Sequence, residues 1–261
     1  MIIASHKFFK SRSDTPSLGM LFVVGEEIGG TGMKAFASYA MNATFRAAIF
    51  GEPTEGKLAS GHKGSLRLTL DVKGKAAHSA YPWLGISAIN YLADAIVALN
   101  MLEPALPRSD LLGPTTINTG LIQGGIAANI VAAAANASIL IRISRPEEDA
   151  VSVVRDMVSG MLSPLVTRAK DANATFDVIF GNSTYTAIIL DTDVEGLEVA
   201  PVFYGTDIQN LPQVEKKYLF GPGTIEVAHG PNEGLSQDEL VDAAEAYLLI
   251  LESVFTTNST A

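Results

Sequence analysis

Residues 65–180 carry the pattern that most restricts how this chain folds. Residues 65–72 alternate cleanly, with Leu66, Leu68, Leu70 and Val72 on one face and Ser65, Arg67, Thr69 and Asp71 on the other. A period of two over eight residues is the mark of a half-exposed strand in an antiparallel sheet. Lys73-Gly74 turns the chain. A stripe at helical spacing follows, formed by Ile89, Leu92, Ala93, Ile96 and Leu99. Residues 115–122 and 138–143 read as two further strands, separated by the Gly/Ala-rich run Gln123-Gly-Gly-Ile-Ala-Ala-Asn129. Ser144-Arg-Pro-Glu147 has capping-box spacing and predicts a helix with Val151, Val154, Val158, Met161, Leu162 and Leu165 on one face. Residues 174–180 alternate again. The order β-α-β-β-α-β is ferredoxin-like, and it spans residues 64–180.

The flanks follow a different rule. Residues 21–24 form a short apolar run that stops at Gly25 and delivers Glu26 and Glu27; Gly29, Gly30 and Gly32 then leave room for close backbone approach. Met33, Phe36, Ala37 and Ala40 predict a helix after them. Residues 46–50 are a second apolar run, ending in Gly51-Glu52-Pro53-Thr54. After Phe220-Gly-Pro-Gly, residues 224–228 read as a short strand that ends at His229-Gly-Pro-Asn-Glu233. Ser236-Gln-Asp-Glu239 is a second capping box, opening a helix striped by Leu240, Ala244, Tyr247, Leu248, Leu251 and Val254. The expected architecture is therefore an α/β domain made of residues 1–63 and 181–261. An α+β module, residues 64–180, is inserted into it at a hinge near Gly61 and Gly64.

Composition bears on partners. A net charge of −10 argues against nucleic acid, because phosphate binding needs clustered Lys and Arg. No apolar run approaches the roughly 18 residues of a membrane span. With no cysteine, any metal must be held by imidazole and carboxylate. Five Asn-x-Ser/Thr sequons stand at Asn42, Asn136, Asn173, Asn182 and Asn258, out of eleven asparagines. Chance would place roughly one or two, so the excess points to a glycosylated, secretory or vacuolar protein.

Glu26, Glu27, Glu52 and His229 each follow a short apolar run outside the inserted module. Groups at strand ends of one α/β sheet converge on one crevice. Carboxylate and imidazole together suit a borderline cation such as Zn²⁺. Two such ions sharing a carboxylate activate one water, and one glutamate is then left free as general base. The alternative for the Glu26 and Glu27 pair is a simple complement to the dipole of the following helix.

Five ordered motifs carry a resemblance. Gly25-Glu-Glu-Ile-Gly-Gly-x-Gly, Gly51-Glu-Pro-Thr, Gly74-Lys-Ala-Ala-His-Ser, Gly124-Gly with Asn129, and Gly221-Pro-Gly with Ala228-His-Gly-Pro-Asn-Glu resemble the di-zinc aminoacylase/carboxypeptidase superfamily. Tyr204-Gly-Thr-Asp-Ile and Tyr218-Leu-Phe-Gly-Pro-Gly are most similar to its fungal secreted carboxypeptidase branch. The resemblance implies Glu26 as general base, Glu27 and His229 as ligands of one zinc, and Glu52 as a ligand of the other. It implies that His78, on the inserted lid and dimerisation domain, reaches the partner subunit's site to stabilise an oxyanion. It places Asn129 and Arg142 at the substrate carboxylate, although a merely solvated Arg142 fits its strand position equally well. The implied substrate is a peptide or an N-acyl amino acid, and the implied assembly a homodimer.

One departure matters. The superfamily brings a His-x-Asp metal motif and a bridging Asp from ahead of its Glu-Glu motif, and neither His6, Asp14 nor His62 stands in such a setting. The expectation is a chain that begins roughly one third of the way into a family member, with an incomplete two-zinc site. Carboxypeptidase-type hydrolysis next to a free carboxylate is the leading reading. N-acyl-amino-acid hydrolysis is the alternative within the enzyme class, and a non-catalytic remnant that only dimerises is the alternative outside it.

Overall fold

The computed structural model of the protein describes residues 1–14 and 17–256. Its long elements, in chain order, begin with α1 (Ile2–Lys10), α2 (Thr31–Tyr39), β1 (Phe45–Phe50), β2 (Leu66–Lys73), α3 (Ala88–Leu102) and β3 (Thr116–Gly124). They continue with β4 (Ala134–Arg142), α4 (Ala150–Asp171), β5 (Thr175–Phe180), β6 (Val214–Leu219) and α5 (Gln237–Thr256). The chain divides into two compact units. One comprises Met1–His62, Ile189–Val202 and Thr206–Ala261; the other comprises Lys63–Ile188 and Phe203–Gly205.

The second unit is a four-stranded antiparallel sheet in the order β3-β4-β2-β5, carrying α3 and α4. Every apolar residue of the first alternating stretch is buried: Leu66, Leu68, Leu70 and Val72. They lie opposite Ile141, Ile139, Ala137 and Ala135 of β4. Leu92, Leu99, Val154, Val158 and Leu162 from the two helices complete this core, each large side chain contributing about 2 kcal/mol by burial. A register shift between Thr119 and Leu121 interrupts β3.

Two details differ from the sequence expectation. The buried stripe of α3 runs through Ala88, Leu92, Ala95, Leu99 and Leu102, with Ile89 42% exposed; the stripe is rotated because alanine is small enough to face the sheet. Ser144 does not cap α4, which begins at Ala150 after Asp149. Ser144 is instead buried, its N–H donating to Thr115 Oγ1 at 3.1 Å, while Arg145 turns to Glu147 at 2.8 Å. Both would-be capping partners are thus engaged elsewhere.

In the first unit, β1 and β6 pair in parallel, from Phe45 opposite Val214 to Phe50 opposite Leu219. A second short parallel pair joins Leu58–Ala59 to Val199–Ala200. Helices α1 and α5 pack together, burying Ala4 and Phe8 with Tyr218, Phe220, Tyr247, Ile250 and Leu251. The Phe220 and Tyr247 rings meet edge to face at 5.0 Å. The capping box at the start of α5 forms reciprocally: Glu239 N–H donates to Ser236 Oγ at 3.1 Å and Ser236 N–H to Glu239 Oε2 at 2.9 Å.

Here two expectations are corrected. Residues 21–24 form no strand; they pair with no strand among the described residues, and Phe22 and Val24 are each 76% exposed. Residues 224–228 are not a strand either. Thr224 Oγ1 accepts from Glu226 N–H and starts a 3₁₀ turn, Ile225–Val227. The strand lies earlier, at β6, where Lys216 and Lys217 obscure the apolar pattern. Asp193 and Asp191 accommodate them, the first pairing with the Lys216 ammonium and the second accepting from Lys217 N–H at 2.7 Å. The N-terminal segment, for which no element was expected, is helix α1.

Candidate active site

Glu52 follows β1 directly, on a loop laced to the Gly221–Pro–Gly segment. Thr54 N–H donates to Gly221 O at 3.1 Å, Gly221 N–H donates to Thr54 Oγ1 at 3.0 Å, and Glu55 N–H donates to Gly223 O at 2.8 Å. A Cβ at Gly221 would lie 2.3 Å from Glu52 O, so no larger residue permits this approach. Two of the sequence motifs are therefore one structural knot, and its product is a fixed Glu52 backbone.

Glu26 and Glu27 sit on a turn rather than at a strand end. Gly30 N–H donates to Gly25 O at 2.8 Å and Gly32 N–H to Val24 O at 3.0 Å, closing the turn into α2. Gly30 adopts φ of 69°, a left-handed conformation that glycine reaches without strain. His229 also has positive φ, 61°, in a region where histidine is enriched among non-glycine residues. Its N–H donates to Glu233 Oε2 at 2.8 Å, and its Nε2 lies 2.9 Å from Glu27 Oε1.

The electrostatics tie these groups together. Burial, then the charges of Glu26, Glu27 and Asp207, push the Glu52 carboxyl up to about 7. Burial, then Asp207 and Glu27, raise Glu26. The hydrogen bond to Glu27 raises His229. Tyr247, which donates to Phe220 O at 2.6 Å, is pushed up to about 12 by burial and by Glu52. Four carboxylates thus share one field with one imidazole at its margin. Asp207 is the member that sequence reasoning missed. It opens a 3₁₀ turn, Asp207–Asn210, capped by Thr206 Oγ1 accepting from Ile208 N–H at 3.2 Å. The Thr-Asp step after a glycine was its only signal, being an N-cap residue followed by an acid.

Oxygen and imidazole donors suit a divalent cation, yet their number does not. Among the described residues no three His, Asp or Glu side chains come together closely enough to hold a metal ion. Glu27 and His229 instead engage each other. These residues by themselves do not fit the two-zinc site that the motifs imply.

The other expected site residues lie in the second unit. His78 forms an isolated bridge with Ile130, and its Nδ1 accepts from Ala80 N–H at 3.0 Å, so the neutral ring carries its proton on Nε2. Ser79 N–H donates to Asn129 O at 2.9 Å, which brings the His78 and Asn129 segments side by side. Arg142 ends β4, and its Nη1 and the Tyr185 hydroxyl both crowd the position of a Cβ at Gly205, at 3.0 and 2.0 Å. His62, fully buried, lies in the first unit with Nε2 3.4 Å from Thr206 Oγ1.

Residues 60–165 match the M20 peptidase dimerisation domain. The chain is 42% identical to a probable carboxypeptidase of Uncinocarpus reesii over 94% of its own length and 58% of the relative's. It is likewise 42% identical to one of Aspergillus terreus, over 93% and 58%. A solved tripeptidase from Staphylococcus aureus superposes with a TM-score of 0.68 at 25% identity, covering 89% of this chain and 62% of that one. The aminopeptidase PepT from Bacillus cereus gives 0.66 at 24% identity, over 89% and 63%, a likeness of fold. The chain thus spans less than two thirds of the length of these relatives. It is similar to the fungal probable carboxypeptidases over most of its own length, and its residues 60–165 resemble a peptidase dimerisation domain.

Proposed function

We propose that this chain supplies much of a metal-dependent hydrolase that cleaves an amide next to a free carboxylate, a carboxypeptidase-type reaction. The observation that carries the reading is the shared field of Glu26, Glu27, Glu52 and Asp207 with His229 on Glu27. The likeness to probable carboxypeptidases supports it. In this proposal Glu26 is the general base: burial, then Asp207 and Glu27, hold its carboxyl above the ordinary carboxylate range, and a more basic carboxylate is the better proton acceptor. Glu27, Glu52 and His229 form a share of a zinc ligand set, not a complete one. His78, an exposed residue, would offer a donor to an oxyanion in the partner subunit's site, and Asn129 and Arg142 would contact the substrate carboxylate.

Domain roles follow the same division. Residues 64–180 would be the lid and dimerisation domain, with residues 1–63 and 181–261 the catalytic part. The edge strand β3 pairs only with β4 among the described residues, and Leu121, Ile122 and Ile126 beside that edge are 63%, 60% and 87% exposed. A homodimer that covers this edge removes an open ladder of backbone groups. The self-contained core of this unit also favours a second reading, in which the chain on its own only dimerises. Asn42, Asn136, Asn173 and Asn182 are all exposed, consistent with a glycosylated, secreted or vacuolar protein, whereas Asn258 lies outside the described residues. No helix is long and apolar enough to cross a membrane among the described residues.

The test uses a full-length protein containing this sequence. Glu26→Gln should lower kcat by at least about 10² with zinc content near normal, and Glu27→Gln should lose metal and activity together. An unchanged turnover in both variants would reject the proposed roles.

A further inference from the structure

Asp207 combines deep burial, a clamp and a contact with the turn that carries the site. It is 6% exposed. Its Oδ1 accepts from Asn210 Nδ2 at 2.7 Å, while its Oδ2 is buried without a hydrogen-bond partner among the described residues. The carboxylate presses on Gly30: a Cβ there would lie 2.1 Å from Asp207 Oδ1 and 2.4 Å from Asn210 Nδ2. Gly30 is both the last residue of the Glu26 and Glu27 turn and the N-cap of α2, with its O accepting from Lys34 N–H at 3.0 Å. A buried polar group left half-satisfied costs stability, so its retention at this pivot calls for a local role.

We propose that Asp207 is a positioning residue: clamped by Asn210, its carboxylate seats the Gly30 pivot and so fixes the turn that presents Glu26 and Glu27. The 3₁₀ turn holding Asp207 is itself anchored. Thr206 caps it, His62 lies against Thr206 at 3.4 Å, and Ile208 is fully buried. A rigid support of this kind matters because catalytic groups must be held within about half an ångström of their working geometry. The placement rests on the geometry of this unit; only its effect on turnover rests on the function proposed above.

Residue-resolved amide exchange by NMR on the 261-residue chain tests the placement. Asp207→Ala should speed exchange at Gly30 and Gly32 by about tenfold or more, with the amides of β1 and β6 unchanged. Asp207→Asn, which still accepts from Asn210, should restore protection. Asn210→Ala should loosen the same two amides, and it serves if Asp207→Ala does not fold. Exchange at Gly30 and Gly32 within about twofold of the parent, or acceleration spread equally over β1 and β6, would overturn the proposal. So would Asp207→Asn behaving like Asp207→Ala. In a full-length enzyme Asp207→Ala should lower kcat with KM held; a parent protein without hydrolytic activity would count against the functional reading, while the exchange data still decide the role of Asp207.

Discussion

Glu52 makes the metal-free chain lose stability as the pH rises. Its carboxyl is pushed from the ordinary 4.5 up to about 7, by burial and by Glu26, Glu27 and Asp207. A raised acid binds its proton more tightly in the folded state than in the unfolded one. Between about pH 4.5 and 7 the native state therefore holds more protons, and stability falls with increasing pH. The rise corresponds to about 3 kcal/mol, and contact of the carboxylate with solvent reduces this to about 2 kcal/mol. Glu52→Gln keeps the shape and removes the ionisation. Urea denaturation of both proteins in a chelating buffer, at pH 5 and pH 8, isolates the effect, since the remaining groups are shared. The variant's margin over the parent should be small at pH 5, where the unfolded carboxyl has begun to outpace the native one in ionising, and grow to about 2 kcal/mol at pH 8. Parallel pH dependence in the two proteins would refute the argument, and a variant less stable at pH 8 would refute it more strongly.

The other consequences are local. Glu27→Gln should lower the raised His229 imidazole towards the ordinary 6.5 in an NMR titration, with Glu233 and Glu26 still holding it up in part. In the parent, the pairing stabilises the fold fully below that value and is lost as pH rises through the raised one. Gly30→Ala should destabilise the chain by about 2 kcal/mol or more, since it forces both a left-handed residue and a 2.1 Å contact with Asp207. Gly160→Ala, in the middle of α4 with open space around its Cβ, should stabilise by up to about 1 kcal/mol. Leu70→Ala, in the centre of β2 and fully buried, should cost about 2–5 kcal/mol. Denaturant titration of each variant measures all three.

Much of this protein is local in origin and could be read from the sequence. The alternation of Leu66, Leu68, Leu70 and Val72 determined strand, face and core together, because a period of two leaves only one face to bury. The ferredoxin-like order followed from that alternation and from two helical stripes, and the Ser236 and Glu239 capping box formed at its expected position. Glu26, Glu27, Glu52 and His229 were nominated because each follows a short apolar run, and of those runs only residues 46–50 lie in a strand.

What the sequence could not decide was whatever depends on a partner distant in the chain. A strand exists only with a neighbour to complete its ladder. Residues 21–24, apolar enough, have none among the described residues, while the charged-looking β6 has β1. Ser144 had the spacing of a cap but was taken by Thr115, 29 residues away. Asp207 entered the site through Gly30, far off in sequence, by the close approach that a missing side chain permits. Local patterning determined which segments could form strands, helices and caps; only the tertiary structure decided which of them found partners, and which carboxylates came to share one field.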